Sequence, residues 1–238
     1  MSDEAPSRAE SIAETLRAQI LSGKYGPGER LPSERELAER LTVNRSSVRE
    51  ALKKLEQLGM IAIRPGVGAR VVPLAKAGLG ALRHALGAKA PDRALIAQWL
   101  DVHELVMAGA ARVAVERGTE QEFAAAKVLL RRLCSPSSSD EDFVKTTDEL
   151  TELIAIASRN VVLQMVRNGL TAIARKQTAV RKTLVGTRKL LQPICLEIEH
   201  AMDARDPLAA EEGVRSLFRT NSELLLDLIA GPQKAAEN

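Results

Sequence analysis

Two arginines spaced four residues apart, Arg45 and Arg49, are the side chains of this sequence best suited to reading DNA. They lie in the stretch Asn44-Arg45-Ser46-Ser47-Val48-Arg49, whose first residue is a good helix cap. A guanidinium can donate two hydrogen bonds to O6 and N7 of guanine, and Ser46 and Ser47 supply hydroxyls for bases or phosphates. Because the first turn of a helix in the major groove faces the base edges, this spacing predicts sequence-specific DNA contacts.

The residues around these arginines predict two short helices joined by a tight turn. Ser33 and Glu36 have the spacing of a capping box, which predicts a first helix that begins after Pro32. A second helix is predicted after Asn44, because apolar residues recur on one side of it, at Val48, Ala51, Leu52, Leu55 and Leu58. Gly59 lies just past its end, where a left-handed residue costs least.

A β-hairpin is predicted directly after the second helix. Residues 60–63 and 70–72 are strand-like runs, and the loop between them turns on Gly66 and Gly68. Two helices, a turn and a hairpin make a winged helix-turn-helix, whose second helix fits the major groove. Residues 44–54 carry four basic side chains and one acid, which by themselves suit an ordinary solvated helix. The cap, the turn, the arginines and the hairpin together favour DNA binding.

The overall composition does not by itself indicate a function. The chain has 238 residues, a net charge of +3 and a pI near 9.0, so DNA binding must depend on local arrangement and not on a global field. No apolar run is long enough to span a membrane, and the N-terminus does not resemble a secretory signal. We therefore expect a cytoplasmic protein. Cys134 and Cys195 lack the spacing of a metal or disulfide motif, and reduced thiols are expected.

The second half of the chain reads as helix throughout. Apolar stripes recur from about Arg93 to Ala230, and no strand alternation or internal repeat interrupts them. The predicted fold class is therefore mainly α: an N-terminal winged helix-turn-helix with a small β-hairpin, then a C-terminal all-α helical bundle. We place the first domain at residues 8–73, a junction at 74–92 and the helical domain at 93–231.

Two segments of the first domain resemble the GntR-type bacterial transcription regulators. They are residues 27–38, PGERLPSERELA, and residues 44–52, NRSSVREAL. The resemblance covers about residues 8–72. It implies DNA contacts from the following residues: Arg35, Arg45, Ser46, Ser47, Arg49 and the wing-tip Gly66. We also predict Asn44, directly before Arg45, as a DNA-binding residue. Pro65 stands where some members carry a polar reader, so the resemblance supports wing insertion more than a base contact from the wing.

The helical half resembles the effector domain of the FadR branch of this family, through residues 111–119, 157–160 and 201–207. The resemblance implies a bundle that holds a small effector, often a carboxylate bound through a metal. The positions of the branch's metal ligands are here Thr147, Thr151, Cys195 and Leu217. Two threonines and a leucine cannot hold a divalent ion, so no metal is expected. His103 stands where many members have a carboxylate-binding arginine.

The acyl-coenzyme A-sensing members of the branch also lack the metal ligands, and this chain is similar to them in length. We therefore expect a lipid-derived effector, an acyl-coenzyme A or a fatty acid. Its candidate contacts are His103, Met165, Asn168, Leu170, Ile173, Arg181 and Leu217. A small organic acid is the alternative effector, and an architectural DNA binder without an effector is the alternative function.

The sequence contains no motif that indicates an enzyme. The sequence contains no nucleophile elbow, P-loop, dinucleotide-binding glycine pattern or paired catalytic carboxylates. We expect no enzyme activity and no cofactor. The expected partners are double-stranded DNA with an inverted-repeat operator, a small-molecule effector and a second copy of the chain.

Overall fold

A computed structural model describes residues 7–87, 92–135, 139–174 and 188–230 of the chain. The chain divides into two compact units, residues 1–91 and 92–238, which are described separately. The architecture is mainly α, with a winged helix-turn-helix in the first unit and a helical second unit, so the predicted fold class is confirmed. None of the described helices is long and apolar enough to cross a membrane.

The first unit places three helices, a hairpin and a fourth helix in order. The elements are α1 (Arg8–Leu21), α2 (Glu34–Leu41), α3 (Arg45–Gln57), β1 (Ile61–Arg64), β2 (Gly68–Val71), a 3-10 turn (Leu74–Lys76) and α4 (Leu79–Leu86). α2 and α3 are the helix-turn-helix, and the turn between them contains Thr42 at φ 54°. The two strands are the wing.

Local capping fixes where α2 and α3 begin. The Ser33 hydroxyl accepts a hydrogen bond from the Glu36 amide at 3.3 Å, and the Glu36 carboxylate accepts one from the Ser33 amide at 2.7 Å. This is the capping box that the sequence predicts. Asn44 caps α3, where its side-chain oxygen accepts a hydrogen bond from the Ser47 amide at 2.8 Å.

A single apolar core holds the first unit together. Val48, Ala51, Leu52 and Leu55 of α3 are buried in it, together with Leu16 of α1 and Leu31 of the following loop. α4 also contributes to this core, because Ala81 is fully buried there. In addition, Nη1 of Arg17 on α1 lies 2.9 Å from Nδ1 of His84 on α4. The segment expected as a junction therefore supplies a helix to the first unit.

The wing is slightly longer than predicted and has a third extended segment. β1 and β2 are antiparallel, with a register that runs from Ile61 opposite Val71 to Arg64 opposite Gly68. The turn uses positive φ at Gly66 and Gly68, which favours glycine. Residues 29–31 pair with the other edge of β2: the Val71 amide donates to the Glu29 carbonyl at 2.9 Å. The sequence did not predict this pairing.

The described part of the second unit consists of helices. They are α5 (Arg93–Arg117), α6 (Glu120–Leu133), α7 (Asp140–Ala157), α8 (Val161–Ala174), α9 (Arg188–Asp203) and α10 (Pro207–Ala230). Their core is aliphatic with two phenylalanines, and its members with almost no exposure include Met107, Leu130, Leu133, Phe143 and Leu191. α9 and α10 approach closely at Gly213, where an added Cβ would lie 2.6 Å from Cγ1 of Ile198.

Substitution by alanine should have opposite effects on stability at two glycines of the helical unit, because only one of them lies at this close approach. Gly213→Ala should destabilise the helical unit by about 1–3 kcal/mol, because the new methyl group overpacks the contact between α9 and α10. Gly109→Ala is the control, since a Cβ there meets no described atom within 4 Å. It should stabilise α5 by about 0.5–1 kcal/mol. Urea unfolding of both variants checks the pair, and equal midpoints would contradict the expectation.

Candidate nucleic-acid interface and effector cavity

The start of α3 exposes the two arginines that the sequence singles out. The side chains of Arg45 and Arg49 are 63% and 60% exposed, which leaves their guanidinium groups accessible to a ligand. The Asn44 side chain caps the helix and also accepts a hydrogen bond from the Ser46 hydroxyl at 3.0 Å. Asn44 therefore orders the first turn, and the Ser46 hydroxyl is held by this bond.

The carboxylate of Glu34, which was not predicted from the sequence as a site residue, forms ion pairs with both arginines. Nε and Nη2 of Arg49 donate to Oε1 and Oε2 of Glu34 at 3.0 and 2.8 Å. Nη2 of Arg45 lies 3.9 Å from Oε2 of the same side chain. The Arg49 hydrogen bond lowers the pKa of the Glu34 carboxyl below its ordinary value, and Glu34 raises the pKa of Arg49. Glu34 is the first residue of α2, so this contact joins the starts of the two helices.

The remaining predicted DNA contacts lie on α2, on α3 and in the wing turn. Arg35 is 75% exposed, and its Nε lies 3.8 Å from the Glu39 carboxylate one turn later. Gly66 lies in the wing turn at φ 74°, and an added Cβ there would meet no described atom within 4 Å. Ser47 is half-buried on α3. The structure thus brings Arg45 and Arg49 together through Glu34, whereas Arg35 is paired with Glu39.

The helical unit contains a cavity of about 50 Å³. Its lining comes from α5, α6, α7, α9 and α10 and is almost entirely apolar, with Phe123, Leu150, Ile154, Val214 and Leu217 among the larger side chains. The resemblance assigns metal ligands to four positions, and three of them, here Thr147, Thr151 and Leu217, lie on the wall of this cavity. Within the described residues, no three His, Cys, Asp or Glu side chains form a group suited to a metal.

A buried histidine and a buried arginine adjoin this cavity. His103 stacks edge-on against Phe218, a cavity residue, with ring centroids 4.9 Å apart. Burial, and to a smaller extent the charge of Arg167, lowers the pKa of His103 from 6.5 to about 4. The Arg167 guanidinium on α8 donates to Asp148 Oδ1 at 2.6 Å and to Thr151 Oγ1 at 2.9 Å. Thr151 therefore links the cavity wall to a buried cation.

Several buried polar atoms near these residues lack a hydrogen-bond partner within the part of the chain that the structure describes. In the helical unit they are Trp99 Nε1, His103 Nε2, Thr146 Oγ1 and Thr171 Oγ1, from α5, α7 and α8. Each such group costs about 1–3 kcal/mol unless a water or a ligand satisfies it. The described part of the helical unit therefore contains buried polar groups in addition to its apolar cavity that a water or a ligand could satisfy.

The other predicted effector contacts are placed differently. Leu217 lines the cavity, whereas Leu170 is buried in the bundle without lining it. Met165 is 68% exposed on α8 and is therefore not a wall of this cavity. Asn168 is also exposed, and it accepts a hydrogen bond from Arg167 at 3.1 Å. Arg181 and the side chain of Ile173 lie outside the described residues.

Two family models match the chain, and together they cover both units. The model for bacterial regulatory proteins of the gntR family matches residues 8–71, and the model for the FCD domain matches residues 98–220. The chain belongs to the gntR family of bacterial regulatory proteins. The predicted family is thus confirmed, while the FadR branch within it stays a prediction.

Curated relatives are regulators and not enzymes. The regulator Mb0601 of Mycobacterium bovis is 28% identical over 235 residues, and the match covers 93% of each chain. The galactonate operon transcriptional repressor of Escherichia coli is 26% identical and covers 93% of this chain and 98% of its own. The regulator Rv0494 of Mycobacterium tuberculosis is 52% identical over 62 residues, only 26% of either chain. For Rv0494, this chain thus matches about a quarter of the relative's length.

Solved structures support the fold. Lar, which controls the expression of the Listeria monocytogenes agr system, superposes with a TM-score of 0.62 at 15% identity. The match covers 95% of this chain and 100% of that one. The family models and the curated relatives show that the chain is a DNA-binding transcription regulator with an effector-binding FCD domain. The lipid-derived effector stays a prediction. The predicted absence of enzyme activity is confirmed on the same grounds.

The burial of His103 leads to a prediction about pH. The folded protein keeps this imidazole neutral down to about pH 4, whereas the unfolded chain protonates it near pH 6.5. The free energy of unfolding should therefore fall as the pH drops from 6.5 towards 4, with a contribution from His103 of up to about 3 kcal/mol. Urea unfolding at several pH values should show a shallower decline in His103→Phe. An equally steep decline in His103→Phe would contradict this expectation.

Proposed function

We propose that this gntR-family protein acts in the cytoplasm as a homodimer that binds an inverted-repeat operator, and that a small molecule in the helical unit weakens this binding. The observation that carries the proposal is the pair of exposed arginines at the start of α3, held by one carboxylate. Arginine at this position of a recognition helix suits a guanine edge. Arg35 on α2, Ser46 and Ser47 on α3 and Gly66 in the wing complete the proposed DNA surface.

The arginines have separate, measurable roles in this proposal. Arg45→Ala and Arg49→Ala should each weaken operator binding by about 1–3 kcal/mol and relax sequence preference, because each removes a base contact. Fluorescence anisotropy at matched salt measures the effect. Arg112→Ala, an exposed arginine of the helical unit, is the control and should bind like the parent. Parental operator affinity in both α3 variants would refute the proposed contacts.

The dimer follows from the reach of one recognition helix. A single helix contacts only a few base pairs, so useful specificity needs two copies on a symmetric site. Three large apolar side chains, Val161, Val162 and Met165, are exposed within five residues of α8, with exposures of 66%, 61% and 68%. Such a patch on a helix surface suits a contact between subunits.

The double variant Val162→Glu, Met165→Glu should therefore shift the protein towards monomer, because it places two charges in the proposed contact. Sedimentation velocity at micromolar concentration measures the change. Val128→Glu introduces one charge at another exposed valine, on α6, and should leave the association unchanged. A parent that is monomeric throughout this range would contradict the dimer itself, and a dimeric double variant would exclude only this surface.

The apolar lining of the cavity supports an effector with an apolar body. Burial of apolar surface contributes about 25 cal/mol per Å², so a ligand can bind there without a metal. A lipid-derived effector is the proposal that agrees with this lining. The volume of about 50 Å³ holds only about four water-sized groups, so a long acyl chain requires the helices to separate.

A small organic acid is the second candidate, and a specific observation favours it. Arg167 and His103 adjoin the small cavity and offer a cation and an imidazole to a compact polar ligand. One relative, the galactonate operon transcriptional repressor of Escherichia coli, is named for an operon of a small organic acid, which agrees with this candidate.

An operator-binding titration separates the two candidates. Long-chain acyl-coenzyme A, a free fatty acid and small organic acids, galactonate among them, are added in parallel, and DNA affinity is measured. Release by the acyl compounds alone, with a change of about 1–3 kcal/mol, is expected for the lipid proposal. Release by the small acids alone would replace it, and release by none of these probes would remove both.

A further inference from the structure

We infer that Glu34 determines DNA specificity by holding Arg49, and through the same carboxylate Arg45, in the orientation that a defined base sequence requires. The inference rests on the proposed function, in which these arginines read bases. Glu34 itself is a positioning residue that acts through the two arginines and needs no contact with DNA.

The geometry of the contact supports a fixed orientation. Arg49 uses Nε and Nη2 on the two carboxylate oxygens, at 3.0 and 2.8 Å, and this paired arrangement sets the plane of the guanidinium. An arginine has five N–H donors, so the other donors of Arg49 are left for a base or a phosphate. Arg45 lies 3.9 Å from Oε2 and is attracted to the same charge.

Both sides of this contact are anchored in the fold. Glu34 is the first residue of α2, which the capping box starts and which Leu37 fixes in the core at 2% exposure. Its side chain is 28% exposed, less than half the exposure of either arginine. Arg49 follows directly after Val48, which is fully buried. Because both ends are held, the ion pair orders a side chain that otherwise has many rotamers, and DNA binding then needs less ordering.

Simple charge considerations predict the opposite role for this residue. A carboxylate close to the DNA phosphates repels them, so its removal should strengthen binding to every sequence. Exposed ion pairs also contribute little to stability, so the stability of the fold is a weak explanation for the presence of Glu34. A positioning role therefore has a signature that repulsion cannot produce: loss of Glu34 weakens binding to the operator while binding to unrelated DNA stays the same or strengthens.

The experiment compares Glu34→Gln and Glu34→Ala with Glu50→Gln in the full chain. Glu50 is exposed on α3 and serves as the matched loss of one negative charge. A duplex selected from random sequences with the parent protein serves as operator, and a scrambled duplex of equal length serves as competitor. Melting temperatures confirm that all variants fold. Dissociation constants for both duplexes are measured at the same salt concentration.

The specificity ratio is the dissociation constant for the scrambled duplex divided by that for the operator. We expect both Glu34 variants to lower this ratio by about tenfold or more. Glu50→Gln should strengthen binding to both duplexes and leave the ratio unchanged. In an Arg49→Ala background, Glu34→Ala should lower the ratio much less than in the parent, because Arg49 makes the paired contact with Glu34 and only the longer contact with Arg45 remains. A merely repulsive or structural Glu34 would not produce this dependence.

Two results would overturn the inference, and they differ from failure of the proposed function. Glu34→Gln that behaves like Glu50→Gln, with an unchanged ratio, would show that Glu34 only repels DNA. Glu34→Ala that lowers the ratio equally with and without Arg49 would show that it acts elsewhere. A parent protein that selects no sequence, with a ratio near one, would instead remove base reading and with it the proposed function.

Discussion

The burial of one side of α3 determines which residues of the helix are exposed on the other side. Val48, Ala51 and Leu55 are almost completely buried in the first unit, so the helix has a single rotational setting. With 3.6 residues per turn, that setting exposes Arg45 and Arg49. Glu34 then adds a constraint across the turn that hydrophobic packing cannot supply, since it acts on the ends of long side chains. Packing thus orients the helix, and the ion pair orients the two arginines that we propose as DNA contacts.

The features that could be predicted from the sequence are those with a local cause. The capping box at Ser33, the cap at Asn44 and the apolar stripe of α3 each involve residues within a few positions, and the structure contains all three. The contacts that escaped prediction join distant residues. Glu34 and Arg49 are fifteen apart, and Arg167 and Thr151 are sixteen apart. No spacing rule links such pairs; only the packing of separate helices brings them together.

The sequence also predicted Met165 as an effector contact, whereas its side chain is exposed. The reason lies in the composition of α8, whose apolar residues include Val161, Val162, Met165, Leu170 and Ile173. At 3.6 residues per turn these residues spread over about half of the helix circumference, so periodicity alone does not say which part of this apolar face is buried. The buried side is instead marked by Arg167, which a hydrophobic pattern counts as a surface residue. Its partners Asp148 and Thr151 allow this charge to stay inside.

The contribution of α4 to the first unit matters for anyone who builds hybrid regulators. Ala81 is buried in the same core as α3, and His84 contacts Arg17. A fusion that cuts the chain directly after the wing would remove this helix and leave apolar side chains of α1 and α3 uncovered. A portable DNA-reading module should instead extend through Gly87, so that a foreign sensor is joined within residues 88–91. The same boundary suits expression of the sensor half alone for ligand screening.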